Sequence, residues 1–93
     1  MSIFCGSVAS NGQIISNNNF SCQYDSGQQK YTISYNGNVN DGASVVVSQT
    51  LQIPGLSYIL YSYNNGFTMQ VFQVVDGVYT PVASGFNFIV DEL

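Results

Sequence analysis

Charge is the property that this sequence has least of. Only 6% of its 93 residues are charged, against roughly 25% in an average soluble domain. Lys30 is the single cation, arginine, histidine and tryptophan are absent, and the formal net charge is −4. Recognition of nucleic acids and of anionic membrane surfaces depends on clustered Lys and Arg. We therefore expect no nucleic-acid binding and no attachment to an anionic membrane.

The lack of histidine removes the usual general base near neutral pH, and with it any Ser-His or Cys-His pair. Asp25, Asp41 and Asp76 lie in turn-forming segments, where Asp is favoured for backbone reasons alone. The glycines are scattered along the chain rather than grouped in a phosphate-binding loop. We expect a protein that is not an enzyme, with no catalytic residue and no cofactor.

Long apolar runs are also missing, because none approaches the roughly 20 residues of a membrane span. Residues 1–4 contain no basic segment of the kind that begins a signal peptide. We expect a protein made in the cytoplasm without a signal peptide and without membrane insertion.

Cysteine is limited to Cys5 and Cys22, which allow one pairing. A disulfide closing a loop of this length would contribute about 3 kcal/mol. Without a signal peptide we favour two reduced, buried thiols. A zinc site lacks ligands, and the Asn-rich residues 36–42 resemble a calcium loop but hold a single carboxylate, Asp41. We favour a plain loop there and no metal.

The chain contains short segments in which apolar and polar residues alternate, and turns separate these segments. Phe67, Met69 and Val71 alternate with Thr68 and Gln70, the pattern of a strand with one buried face. Within residues 64–75 we interpret the segment after the turn at 64–66 as a central strand. Turn signals recur every eight to twelve residues. This spacing predicts an all-β fold, a compact antiparallel β-sandwich of six to eight strands in which residues 1–93 form a single domain.

Some strands carry apolar residues on both faces, notably residues 45–47 and 56–63. Phe72 falls on the face that Thr68 and Gln70 mark as polar. Either a bulge shifts the register there, or both faces are covered by a second sheet or another subunit, and we favour cover. Since one small sheet cannot hide both faces, we predict a homo-oligomer. The predicted interface residues are Val46, Tyr58, Phe72 and Ile89.

The polar surface must be built from Ser, Asn, Gln, Thr and Tyr. Sugars are recognised by amides and hydroxyls and by aromatic rings that stack on their C–H faces, so this composition favours carbohydrate binding. Strand formation by Tyr and turn formation by Asn also account for most of the pattern. Expecting the loops after two long strands to lie at one end, we predict the ligand residues Tyr61, Tyr63, Asn64, Asn65 and Asp76.

The order of turns and core positions from about Cys5 to Val90 resembles the small β-rich domain at the C-terminal tips of some phage tail fibres, which is similar to H-type lectins. The segments that carry the resemblance are residues 6–8, 11–12, 14–15, 20, 27, 31–33, 45–47, 65–71 and 86–90. It implies an antiparallel β-sandwich that forms a homotrimer and recognises cell-surface glycans or other receptors, in a virion tail or as a released lectin. H-type lectin sugar sites include Arg or Trp, which this chain lacks, so no sugar site carries over residue by residue.

Our hypothesis is therefore a non-enzymatic, homotrimeric module that recognises cell-surface carbohydrate or a receptor. The alternative is a structural trimerisation or capping domain with no small-molecule ligand. A third possibility, an inhibitor or antitoxin of a partner protein, is supported only by small size and acidity.

Overall fold

The computed structural model describes residues 2–16, 19–37, 44–63 and 65–91. These residues form nine strands and no helix, which confirms the all-β class and exceeds the six to eight strands predicted. The strands are β1 (Ser2–Val8), β2 (Ile14–Ser16), β3 (Phe20–Asp25), β4 (Lys30–Tyr35), β5 (Ser44–Gln49), β6 (Leu56–Tyr63), β7 (Gly66–Val75), β8 (Val78–Val82) and β9 (Phe86–Asp91).

The strands form two antiparallel sheets that face each other. Sheet I has the order β2-β1-β9-β5, and sheet II has the order β3-β4-β7-β6, with β8 also paired to β7. Strand β6 follows one edge of β7, while β4 pairs with its first half and β8 with its second half on the other edge. The prediction that β7 is a central strand is confirmed.

The core lies between the inner faces of the two sheets. On β7 the residues Phe67, Met69 and Val71 are fully buried, as the alternation predicts. Phe86 and Val90 of β9 supply the opposite wall. The alternating pattern therefore identified the buried face of the central strand of sheet II.

Aromatic pairs join sheet I to sheet II. Phe4 stacks on Tyr35 with ring centroids 4.7 Å apart, and Phe88 meets Phe67 edge to face at 5.0 Å. Phe88 also contacts Phe20 at 4.9 Å. Gly6 lies beneath the Phe20 ring, and a Cβ at this position would collide with that ring. The glycine in β1 thus makes room for an aromatic side chain of the other sheet.

Tyr31 links three parts of the chain through its buried hydroxyl. The hydroxyl donates to the carbonyl oxygen of Ser10 at 2.6 Å and accepts from the backbone N–H of Ser84 at 3.0 Å. Ser10 lies between β1 and β2, and Ser84 lies between β8 and β9. One side chain of sheet II therefore fixes both connections at this end of sheet I.

The two cysteines are unbridged, and one of them departs from the sequence-based expectation. Cys22 is partly buried on the core side of β3, whereas Cys5 is exposed. The prediction of burial is wrong for Cys5. Its neighbours Phe4 and Gly6 face the core, so alternation along β1 turns Cys5 to the outer face.

A contact within the same chain accounts for the position of Phe72 on the outer face. The pairing of β6 with β7 runs without interruption from Leu56 opposite Gln73 to Tyr63 opposite Gly66, so the alternative of a bulge is wrong. Phe72 lies on the outer face of sheet II, where Tyr79 of β8 contacts its ring edge to face at 6.3 Å. The cover comes in part from the β7–β8 hairpin of the same sheet.

Replacing Tyr31 with Phe tests the role of its hydroxyl. Tyr31→Phe leaves the Ser84 N–H and the Ser10 carbonyl without their partner, and we expect a loss of about 1–3 kcal/mol in the free energy of unfolding. Urea denaturation followed by circular dichroism measures this loss. Tyr79→Phe removes an exposed hydroxyl and serves as the control, with an expected change within about 0.5 kcal/mol. Equal stability of the two variants would contradict this role.

Candidate functional site

A groove crosses the outer face of sheet II. The strand register aligns its side chains in rows that run across four strands, from β3 through β4 and β7 to β6. One row contains Asp25, Lys30, Gln70 and Ile59, and the next contains Gln23, Thr32, Thr68 and Tyr61. Because these positions alternate with the core residues, a rigid sheet holds the whole row on the outside.

The end of the groove on β6 is aromatic and apolar. Tyr61 and Tyr63 lie on the same face with ring centroids 5.8 Å apart, and Ile59 continues this surface. Tyr61 is 64% exposed, so its ring is available for contact. The cleft beside these rings has a volume of about 410 Å³ and reaches Thr68, Gln70 and Lys30.

The opposite end of the groove is polar. A second cleft of about 410 Å³ is lined by Gln23, Tyr24, Asp25, Gln28, Lys30 and Thr32. Lys30 lines both clefts, so the two adjoin. The Oδ1 of Asp25 accepts from the backbone N–H groups of Gly27 at 2.9 Å and Gln28 at 3.3 Å. Gln70 donates from Nε2 to the Gln28 carbonyl oxygen at 2.7 Å, which orients its amide.

The structure brings together some of the predicted ligand residues. Tyr61 and Tyr63 lie in the groove, and Asn65 lies in the turn between β6 and β7 beside Tyr63. Asn64 lies outside the described residues, as do residues 38–42 of the predicted Asn-rich loop, with its Asp41. Asp76 follows β7, whereas Asn65 precedes it.

The expectation that these loops share one end of the fold is wrong for Asp76. Strand β7 has ten residues, which separates its two ends by roughly 30 Å. Asp76 and Gly77 both have positive φ, 52° and 78°, in the two-residue turn between β7 and β8. That backbone favours Asp followed by Gly, so the turn by itself accounts for Asp76.

The predicted interface residues occupy three different places. Val46 and Ile89 face each other on the outer side of sheet I, 66% and 51% exposed, with Cys5 opposite Ile89 on the next strand. Tyr58 lies on the core-facing side of β6, and its hydroxyl donates to the Val47 carbonyl oxygen of sheet I at 3.5 Å. Phe72 is on the outer side of sheet II. The four residues therefore do not form one surface.

The sequence-based selection missed most of the polar groove residues. Lys30 and Gln70 are adjacent across strands although forty positions separate them in the chain. In the sequence, Thr68 and Gln70 alternate with apolar residues in one segment, and Lys30 and Thr32 do so in another. Local patterns do not say which two strands pair, so the shared face was not predicted.

The groups with clearly shifted pKa values face the core rather than the groove. Burial raises the pKa of Tyr31 and of Tyr35 to about 12, and that of the Cys22 thiol to about 11. The Tyr35 hydroxyl is buried and has no hydrogen-bond partner among the described residues. These groups are neutral near pH 7 and belong to the packed core, so they take no part in the groove.

The described residues contain no group of three His, Cys, Asp or Glu side chains placed to hold a metal ion. Nor do they include a helix long and apolar enough to cross a membrane.

Comparison with protein-family models, with curated proteins and with solved structures gives no match. The resemblance to tail-fibre tips and H-type lectins therefore stays a prediction.

The raised pKa values predict a loss of stability in alkaline solution. In the unfolded chain the thiol and phenol groups titrate near their ordinary values of about 8.5 and 10, while Cys22, Tyr31 and Tyr35 keep their protons to about pH 11–12 when folded. Between these values the folded state binds more protons, so the free energy of unfolding falls as the pH rises from about 8.5 toward 12.

Urea denaturation between pH 7 and 11.5 measures this dependence. The variant Tyr35→Phe removes one of the three groups together with its unpartnered hydroxyl. We expect this variant to be at least as stable as the native protein at pH 7 and to lose less stability in alkali. A free energy of unfolding that stays constant to pH 11.5 would show that these groups are not buried as described.

Proposed function

We propose that this protein is a non-enzymatic carbohydrate-binding module that recognises a cell-surface glycan or glycosylated receptor through the groove on sheet II. The observation that carries the proposal is the pairing of an exposed tyrosine surface with amide and hydroxyl side chains along one face. Tyr61 and Tyr63 supply the rings, and Gln23, Thr32 and Thr68 supply polar groups.

The physical chemistry of the groove suits a sugar. A pyranose presents an apolar C–H face that packs against an aromatic ring, and hydroxyls that exchange hydrogen bonds with amides and hydroxyls. Tyrosine loses little conformational entropy on binding because it has few rotatable bonds. Since the side chains project from paired strands, little backbone ordering is required when a ligand arrives.

We further propose that the module acts as a homotrimer, as the resemblance to tail-fibre tips implies. The row of Val46, Ile89 and Cys5 on sheet I supports a self-association surface, because two large apolar side chains there are more than half exposed. This row lies on sheet I and the groove on sheet II, so assembly through sheet I would leave the groove open.

A structural trimerisation or capping role is the second candidate. It is favoured by the same exposed row on sheet I and requires no ligand in the groove. The two candidates differ in their prediction for sugar binding, since both include assembly.

Glycan binding tests the first candidate, with a matched pair of variants. Tyr61 and Tyr79 are 64% and 63% exposed, and only Tyr61 lines the groove. Loss of one stacking ring is expected to weaken binding about five- to tenfold in Tyr61→Ala. Tyr79→Ala is expected to bind as the native protein does. An array without any hit, or equal weakening by both variants, would count against the groove.

The solution mass tests assembly, again with a matched pair. Val46→Asp places a carboxylate in the sheet I row, at its β5 end, and Val78→Asp makes the same change at a site of similar exposure, 61%, on β8. Burial of an unpaired carboxylate costs several kcal/mol, so we expect Val46→Asp to dissociate the oligomer. Light scattering coupled to gel filtration measures the mass. A native monomer, or unchanged mass in Val46→Asp, would remove sheet I as the interface.

A further inference from the structure

We infer that the groove on sheet II binds an acidic oligosaccharide rather than a single neutral sugar, with a carboxylate-bearing sugar unit at Lys30. This inference rests on the proposed function and adds the class of ligand. It is carried by the length of the groove, by the difference between its two ends, and by the position of the only cation in the chain.

The groove is too long for one sugar. Its side chains come from all four strands between β3 and β6, and three strand spacings of about 4.8 Å separate those edges by roughly 14 Å. The two clefts join at Lys30 and are similar in volume, each about 410 Å³. A ligand that contacts Tyr61 at one end and Gln23 at the other must therefore extend across the strands.

The two ends of the groove suit different sugar units. The β6 end offers Ile59 and the two tyrosine rings, which suit the apolar face of a neutral unit. The β3 end offers Gln23, Gln28 and Thr32, which suit hydroxyl groups. Lys30 lies where the clefts meet, in the row between Asp25 and Gln70.

Lys30 is the one cation on this face, and Asp25 is the one carboxylate among the residues that line the two clefts. The chain carries a net charge of −4, yet the centre of this face holds an ammonium group on a partly buried residue. Asp25 lies opposite Lys30, but its Oδ1 accepts from two backbone N–H groups of the adjacent turn. An ammonium has three donors, so it can hold a ligand carboxylate in a charge-assisted hydrogen bond.

Neutral side chains around Lys30 strengthen this preference. Gln70 and Thr32 flank it on the same face and are uncharged, so Asp25 is the one charged side chain beside Lys30 among the residues that line the clefts. The partly buried setting weakens the screening that a fully exposed lysine would experience. A neutral oligosaccharide would occupy the groove without using the ammonium group as a charge.

The test is an array of neutral oligosaccharides and of oligosaccharides that contain uronic or sialic acid, probed with the native protein, Lys30→Gln and Lys30→Arg. We expect the hits to be acidic chains of at least three units, with affinity that falls as salt concentration rises. Lys30→Gln is expected to lose at least about tenfold on these hits, and Lys30→Arg is expected to retain most binding. Methyl esterification of the ligand carboxylate should reproduce the loss in the native protein.

The outcomes separate this inference from the proposed function. Binding of neutral glycans alone, or acidic hits that Lys30→Gln does not weaken, would overturn the inference and leave the module a carbohydrate binder. If Lys30→Gln changes only the stability of the protein, Lys30 stabilises the pairing of β3 with β4 opposite Asp25, and the inference is overturned. The absence of any hit would overturn both proposals.

Discussion

The contact of aromatic side chains between the two sheets is the constraint on which the rest of the structure depends. Phe4, Phe86 and Phe88 from sheet I meet Phe20, Tyr35 and Phe67 from sheet II, and most of these rings are almost fully buried. A domain of 93 residues has a small core, in which these rings pack with aliphatic side chains such as Ile33 and Met69. Burial of each ring removes about 150–250 Å² of surface from contact with water. This layer therefore supplies much of the driving force that holds the sheets together.

The inner layer also determines what the outer faces can be. Strand alternation sends every second residue outward, so filling the core with phenylalanine leaves the outer faces to residues with other roles. On sheet II these residues include tyrosine, glutamine and threonine, together with Asp25, Ile59 and the one lysine, arranged in rows by the register. On sheet I they are a short apolar row beside serine and asparagine, where Ser7 donates to the Asn87 side chain at 2.7 Å. Each sheet thus presents a distinct chemical surface.

This division between inner and outer faces explains where prediction from the sequence succeeded and where it failed. Buried faces such as Phe67, Met69 and Val71 were predicted because their signal is local and repeats every two residues. Cys5 was expected to be buried because thiols usually are, but strand parity in β1 decides its side. Asp76 was grouped with Tyr61 because both lie near turns, and the antiparallel path placed its turn at the far end of β7. The polar half of the groove was missed because it needs the pairing of Lys30 with Gln70.

The sequence by itself determined the fold class, the central strand and the face of that strand that packs in the core, because these depend on neighbours within a few residues. Only the tertiary structure decided which strands share an outer face, and therefore that Lys30 lies beside Gln70 and that Val46 lies beside Ile89. The physical reason is that pairing between distant strands depends on how both inner faces fill a common core, and local alternation specifies each face without specifying its neighbour.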